Sequence, residues 1–114
     1  MPSRPNPLKL NALQAKTLTI LQELARVPNF ASSPEEDGSV PIRHLPEPHG
    51  DHFHVGAAVV RTRDASGLAN PAVYGALARK GLVLAGPRGL PILTRAGLAY
   101  DTGLAGEILH RPDH

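Results

Sequence analysis

Pro28, Pro34, Pro41, Pro46 and Pro48 fall within one short stretch of this 114-residue chain. Each lacks a backbone N–H and fixes φ, so no long helix fits between residues 28 and 54. The chain is thereby divided. Regular helix is expected before Pro28 and again only beyond this stretch, and whatever fold forms must accommodate an irregular middle. Residues 1–7, MPSRPNP, hold three more prolines and are expected to be a disordered lead-in.

On the N-terminal side, Leu10, Leu13, Thr17, Ile20 or Leu21, Leu24 and Val27 recur at the spacing of one helical face, with Asn11 as cap and Pro28 as stop. In the middle, SSPEEDG is expected to be an acidic loop. SVPIRHL and DHFHV are short strand candidates, flanking a PEPHG turn as a hairpin. GAAVVRT is open between a continuing strand and the start of a helix. Further on, Asn70 can cap a helix that has Pro71 at its first position, where a missing N–H costs nothing, and Gly81 as its stop. Val73, Ala76, Leu77 and Lys80 share one face of it. LVLA and LPILT, joined by GPRG, read as a hairpin with Arg88 at its tip. Thr94 can cap a last helix over RAGLAYDTGLAGEILH, weakened by three glycines.

The length allows one domain, expected over residues 8–110. The absence of Cys excludes disulfides, thiolate metal sites and cysteine nucleophiles. No apolar run approaches the ~20 residues that cross a bilayer, and the N-terminus has no export signal, so a cytoplasmic protein is expected. Net charge is +2, but it is unevenly spread. Residues 28–54 carry Glu35, Glu36, Asp37, Glu47 and Asp51 against Arg43. Residues 55–95 carry Arg61, Arg63, Arg79, Lys80, Arg88 and Arg95 against Asp64 alone. Such a basic segment is the footprint of a polyanion partner.

Two phrases carry a resemblance. LNALQAKTLTILQELAR is similar to the first core helix of bacterial winged-helix regulators, and LARKGLVLAG followed by LPILTRAGLAY resembles the passage from recognition helix to wing in the multiple-antibiotic-resistance-regulator (MarR) type. The match covers residues 8–27 and 66–100. It implies an α+β winged helix-turn-helix fold, mostly α, with a C-terminal β-hairpin wing and a Pro/His-rich insertion at about 28–54. It further implies a transcriptional regulator rather than an enzyme, with a recognition helix at about 69–80, a wing at about 82–94 and double-stranded DNA as partner. Arg61, Arg63, Asn70, Tyr74, Arg79, Lys80, Arg88 and Arg95 are the expected DNA contacts. The outward set of the recognition helix is Ala72, Tyr74, Gly75, Ala78 and Arg79, which is thin for reading base edges, so specificity is expected to be modest or to rest on DNA shape. The chain departs from the family in two ways. About 40 residues separate the two core helices, more than the usual two short elements, and the long dimerisation helices are missing. A homodimer contact would have to come from residues 1–10, the insertion or 95–114. A winged-helix adaptor for a protein partner is the alternative.

EPHGDHFHVG concentrates His49, His52 and His54. HGDH matches half of the H-x-H-x-D-H signature of metallo-β-lactamase-type hydrolases, but Glu47 stands where its first His belongs and the chain is too short for that fold. In a strand, His52 and His54 would point to one side, with His49, His44 or Asp51 as third ligand to zinc, nickel or copper, as in a metal-responsive regulator. The simpler expectation is a polar rim with no metal and no cofactor. The serines lack nucleophile-elbow spacing, and no Gly-rich loop opens a helix to cradle phosphate.

Overall fold

The computed structural model describes residues 6–110; residues 1–5, most of the expected disordered lead-in, lie outside the described residues. Its order is α1 (Ala12–Leu24), β1 (Val40–Pro41), β2 (His52–Val55), β3 (Ala58–Arg61), α2 (Pro71–Arg79), β4 (Val83–Ala85), β5 (Pro91–Leu93), α3 (Arg95–Ala99) and α4 (Ala105–Ile108). Turns of 3-10 helix occupy Thr62–Asp64, Ser66–Ala69 and Pro87–Gly89. The α+β class expected from sequence is the class observed. No helix among the described residues is long and apolar enough to cross a membrane.

The helix starts follow their local chemistry. Asn11 caps α1 in a capping box, its side chain accepting from Gln14 N while Gln14 Oε1 accepts from Asn11 N. Asn70 accepts from Ala72 N ahead of Pro71, and Thr94 accepts from Gly97 N at the start of α3. Gly81, at φ +77, ends α2 by letting Leu82 N reach back to the Leu77 carbonyl at 3.0 Å.

α1 is more deeply placed than a one-faced helix. Thr17, Leu18, Thr19, Ile20 and Leu21 are consecutive and all buried. At ~100° per residue, five in a row cover every side of the cylinder. The two threonine hydroxyls are accommodated by donating to the Leu13 and Ala15 carbonyls one turn back. Around α1 lie the 3-10 turns, where Asp64 pairs with Lys16 at 2.9 Å, then α2, and then α3, where Gln22 donates to the Gly97 and Tyr100 carbonyls. Asn6 is part of this packing: its side chain donates to the Leu10 carbonyl, accepts from Leu10 N, and bonds the Tyr100 hydroxyl.

The strands pair differently from the expectation. β1 does not form a hairpin with DHFHV across PEPHG. It joins β5, Val40 opposite Leu93, giving an antiparallel sheet in the order β1-β5-β4. DHFHV instead pairs with the following residues as the β2–β3 hairpin, so GAAVVRT is strand. Its two-residue turn has Gly56 at φ +58, the glycine-first arrangement that matches strand twist. The last helix also differs: it breaks into α3 and α4, because Tyr100 leaves the helical region at ψ 124 and Gly103, at φ +74 and donating to the Asp101 carboxylate at 2.9 Å, then turns the chain.

Two glycines mark close approach. A Cβ on Gly67 would lie 2.0 Å from Thr17 Oγ1, and one on Gly97 would lie 2.0 Å from the Leu82 carbonyl oxygen. Gly97→Ala is therefore expected to destabilise by ~1–3 kcal/mol or more, since backbone cannot yield as a side chain can. Gly106→Ala in α4 meets nothing within 4 Å and should be neutral or stabilising by up to ~1 kcal/mol. Urea unfolding of the two variants checks the contrast.

Candidate nucleic-acid interface

α2 buries Val73, Ala76 and Leu77, the inner set read from its periodicity. Its outer side carries Ala72 and Ala78, exposed, with Gly75 between them. Arg79 is exposed, and its Nη1 lies 3.6 Å from where a Gly75 Cβ would stand, so the guanidinium folds back along this small-residue face. Beside the helix, β4 and β5 form the expected hairpin. Between helix and hairpin runs a largely apolar groove, walled by Pro71, Tyr74, Gly75 and Ala78 on one side and by Leu84, Ala85, Leu90 and Pro91 on the other. Leu84 is 51% exposed, the only large hydrophobic side chain so open among the described residues.

Arg88 occupies the hairpin tip, exposed, at φ +61. It is the left-handed residue before Gly89 (φ +74), and this pair turns the chain back into β5. A second depression shares Leu90 with the groove and is lined by Arg88, Arg43, His44, Pro41 and Ile42. Along the chain Arg43 belongs to the acidic insertion; the β1–β5 pairing carries it to the hairpin tip. Only its place within the strand candidate SVPIRHL hints at this, and that names no partner strand.

The remaining expected contacts are dispersed. Arg61 and Arg63 are exposed but line a different depression, with Asp51 and Thr62. Arg95 is exposed at the start of α3, with its aliphatic stem packed over Gly38. Lys80 donates to the Leu8 carbonyl at 2.7 Å, so its ammonium fastens the residues just before α1 to the end of α2. Asn70 is engaged as the cap. Tyr74 is half-buried and donates its hydroxyl to the Leu68 carbonyl at 2.5 Å. The basic segment of the sequence thus divides in space. Arg79, Arg88 and Arg43 gather at the helix–hairpin end, while Arg61 and Arg63 lie near β2–β3.

Burial pushes the Tyr74 phenol up to about 12 because the phenolate would lose hydration. The folded state therefore holds this proton more tightly than the unfolded chain. The associated stability is fully present below ~10, the ordinary tyrosine value, and is lost as pH rises from there through about 12. NMR of ring-labelled tyrosine should show Tyr74 still neutral at pH ~11, and thermal stability falling between pH ~10 and about 12. In Tyr74→Phe that component of the alkaline loss should vanish.

No protein-family model matches this chain, and no curated protein or solved structure matches it at a significant level.

Proposed function

We propose that this chain is a winged helix-turn-helix protein that binds double-stranded DNA and acts as a cytoplasmic transcriptional regulator, with α2 as the recognition helix and β4–β5 as the wing. The observation that carries this reading is the pairing of a small-residue helix face with a ribbon whose tip is basic. Ala72, Gly75 and Ala78 leave α2 slim enough to enter a major groove, and Arg79 sits at its end. Arg88 and Arg43, at the ribbon tip, suit phosphate contact or minor-groove insertion. The run 3-10 turns, α2, hairpin, which follows α1 after the intervening β1, β2 and β3, supports the same reading, with two 3-10 turns standing where the first helix of the pair would be. With Tyr74 and Asn70 engaged internally, little is left to read base edges, so affinity rests on phosphates and specificity on DNA shape.

A second reading is favoured by a specific feature. The apolar groove and exposed Leu84 are better suited to an apolar side chain of a protein partner than to a phosphate, which is the adaptor alternative.

Salt titration of binding to a mixed-sequence duplex separates the two. The DNA reading expects the log of the binding constant to fall linearly with log salt. Arg79→Ala, Arg88→Ala and Arg43→Ala should each weaken binding and reduce the slope by ~0.9 for each phosphate that is no longer neutralised. Arg61→Ala and Arg63→Ala should have smaller effects. Lys80→Ala should lower stability more than it changes the slope. Absence of salt-dependent binding to any duplex contradicts the regulator and leaves the adaptor.

A further inference from the structure

The outer face of the β2–β3 hairpin gathers three imidazoles. His52 and His54 are two residues apart on β2 and so share a face. His49 reaches the same face by a different route. Gly50, at φ +67, turns the chain so that His49 N donates to the His52 carbonyl at 2.7 Å and His52 N to the His49 carbonyl at 3.4 Å, a directly opposed antiparallel pair. Directly opposed residues hold their Cβ atoms ~4.5–5.5 Å apart. The backbone alone therefore places the three side chains together, whatever their rotamers. Their ring centroids are 5.0 Å (His52–His54), 5.2 Å (His49–His54) and 6.3 Å (His49–His52) apart.

We propose that His49, His52 and His54 form a three-imidazole site for a borderline divalent transition-metal ion such as zinc or nickel. With Zn–N bonds of ~2.1 Å and tetrahedral angles, two rings that share an ion stand about 5 Å apart centroid to centroid, which matches two of the three separations. In the ring positions of this structure no three donors among the described residues converge on a point. Capture needs rotation of His49 and His54, and both are exposed and free to turn. His52 is preset: its Nδ1 faces Asp51 Oδ1 at 3.2 Å, and a proton shared there fixes the tautomer that leaves Nε2 open to metal. Across the hairpin Arg61 pairs with His52 and opposes a dication; Asp51 offsets it. The imidazole donors favour zinc, nickel or copper over magnesium or calcium. The site lies outside the helix–hairpin end and does not depend on the DNA reading.

The test is calorimetric titration of the full-length chain, free of any purification tag, with zinc chloride and with nickel chloride at neutral pH. The expected result is one ion per chain, a melting temperature raised by a few degrees, no response to magnesium, and loss of binding on acidification as protons compete for the nitrogens. His49→Ala, His52→Ala and His54→Ala should each weaken binding at least tenfold, whereas His44→Ala should leave it unchanged. All four positions are exposed or half-exposed, so the variants are expected to fold, and circular dichroism verifies it. Absence of zinc and nickel binding at submillimolar concentration, or binding that survives removal of all three histidines, overturns the proposal.

Discussion

The enclosure of α1 is the constraint on which the other elements depend. A helix of 13 residues whose central turn is buried on all sides cannot be covered by one partner; it needs elements arriving from several directions. The 3-10 turns, α2 and α3 supply them, and the glycines permit the approach: Gly67 lets a turn lie against Thr17, and Gly97 lets α3 lie against the backbone at Leu82. Leu18, Ile20, Leu21 and Leu24 are fully buried, each contributing ~1.5–3 kcal/mol by removal from water, an upper estimate given residual compactness of unfolded chains. With its inner face committed to α1 and β4, α2 has a single side left to offer to a partner.

The second determinant is the β1–β5 ladder. β1 is two residues long, yet it converts a hairpin into a three-stranded sheet and fixes where the proline-rich middle runs. It also sets the electrostatics of the hairpin tip. A segment that is acidic on average contributes its one arginine, Arg43, to the depression that Arg88 lines, while Arg61 and Arg63 are carried elsewhere. Charge along the chain and charge on the surface are therefore different quantities here.

The features legible in the sequence are those decided within a few residues. Asn11, Asn70, Pro71, Gly81 and Thr94 act as caps and stops because their chemistry involves only neighbours, and the 83–93 hairpin closes across a short turn. What is not legible depends on distant partners or on one backbone angle. β1 pairs with a strand some 50 residues away, and Lys80 finds a carbonyl 72 residues earlier. The last helix is split where Tyr100 turns extended and Gly103 adopts φ +74, although periodicity alone favours continuity. For the candidate interface, Arg79 and Arg88 are readable from their places on helix and turn. Tyr74 and Lys80 look equally available in the sequence, and only the packing reveals that their polar ends are already bonded. His49 likewise joins His52 and His54 through a turn that two-residue spacing does not announce.

The central claim is that α2 and the β4–β5 hairpin together form the DNA-binding surface. It is tested most directly by backbone amide chemical-shift mapping of the full chain titrated with a mixed-sequence duplex at low salt. The account predicts shifts concentrated in Ala72–Arg79, Val83–Leu90 and Arg43, which fade as salt is raised. No shifts at low salt, or shifts confined to the β2–β3 hairpin and α4, would contradict it.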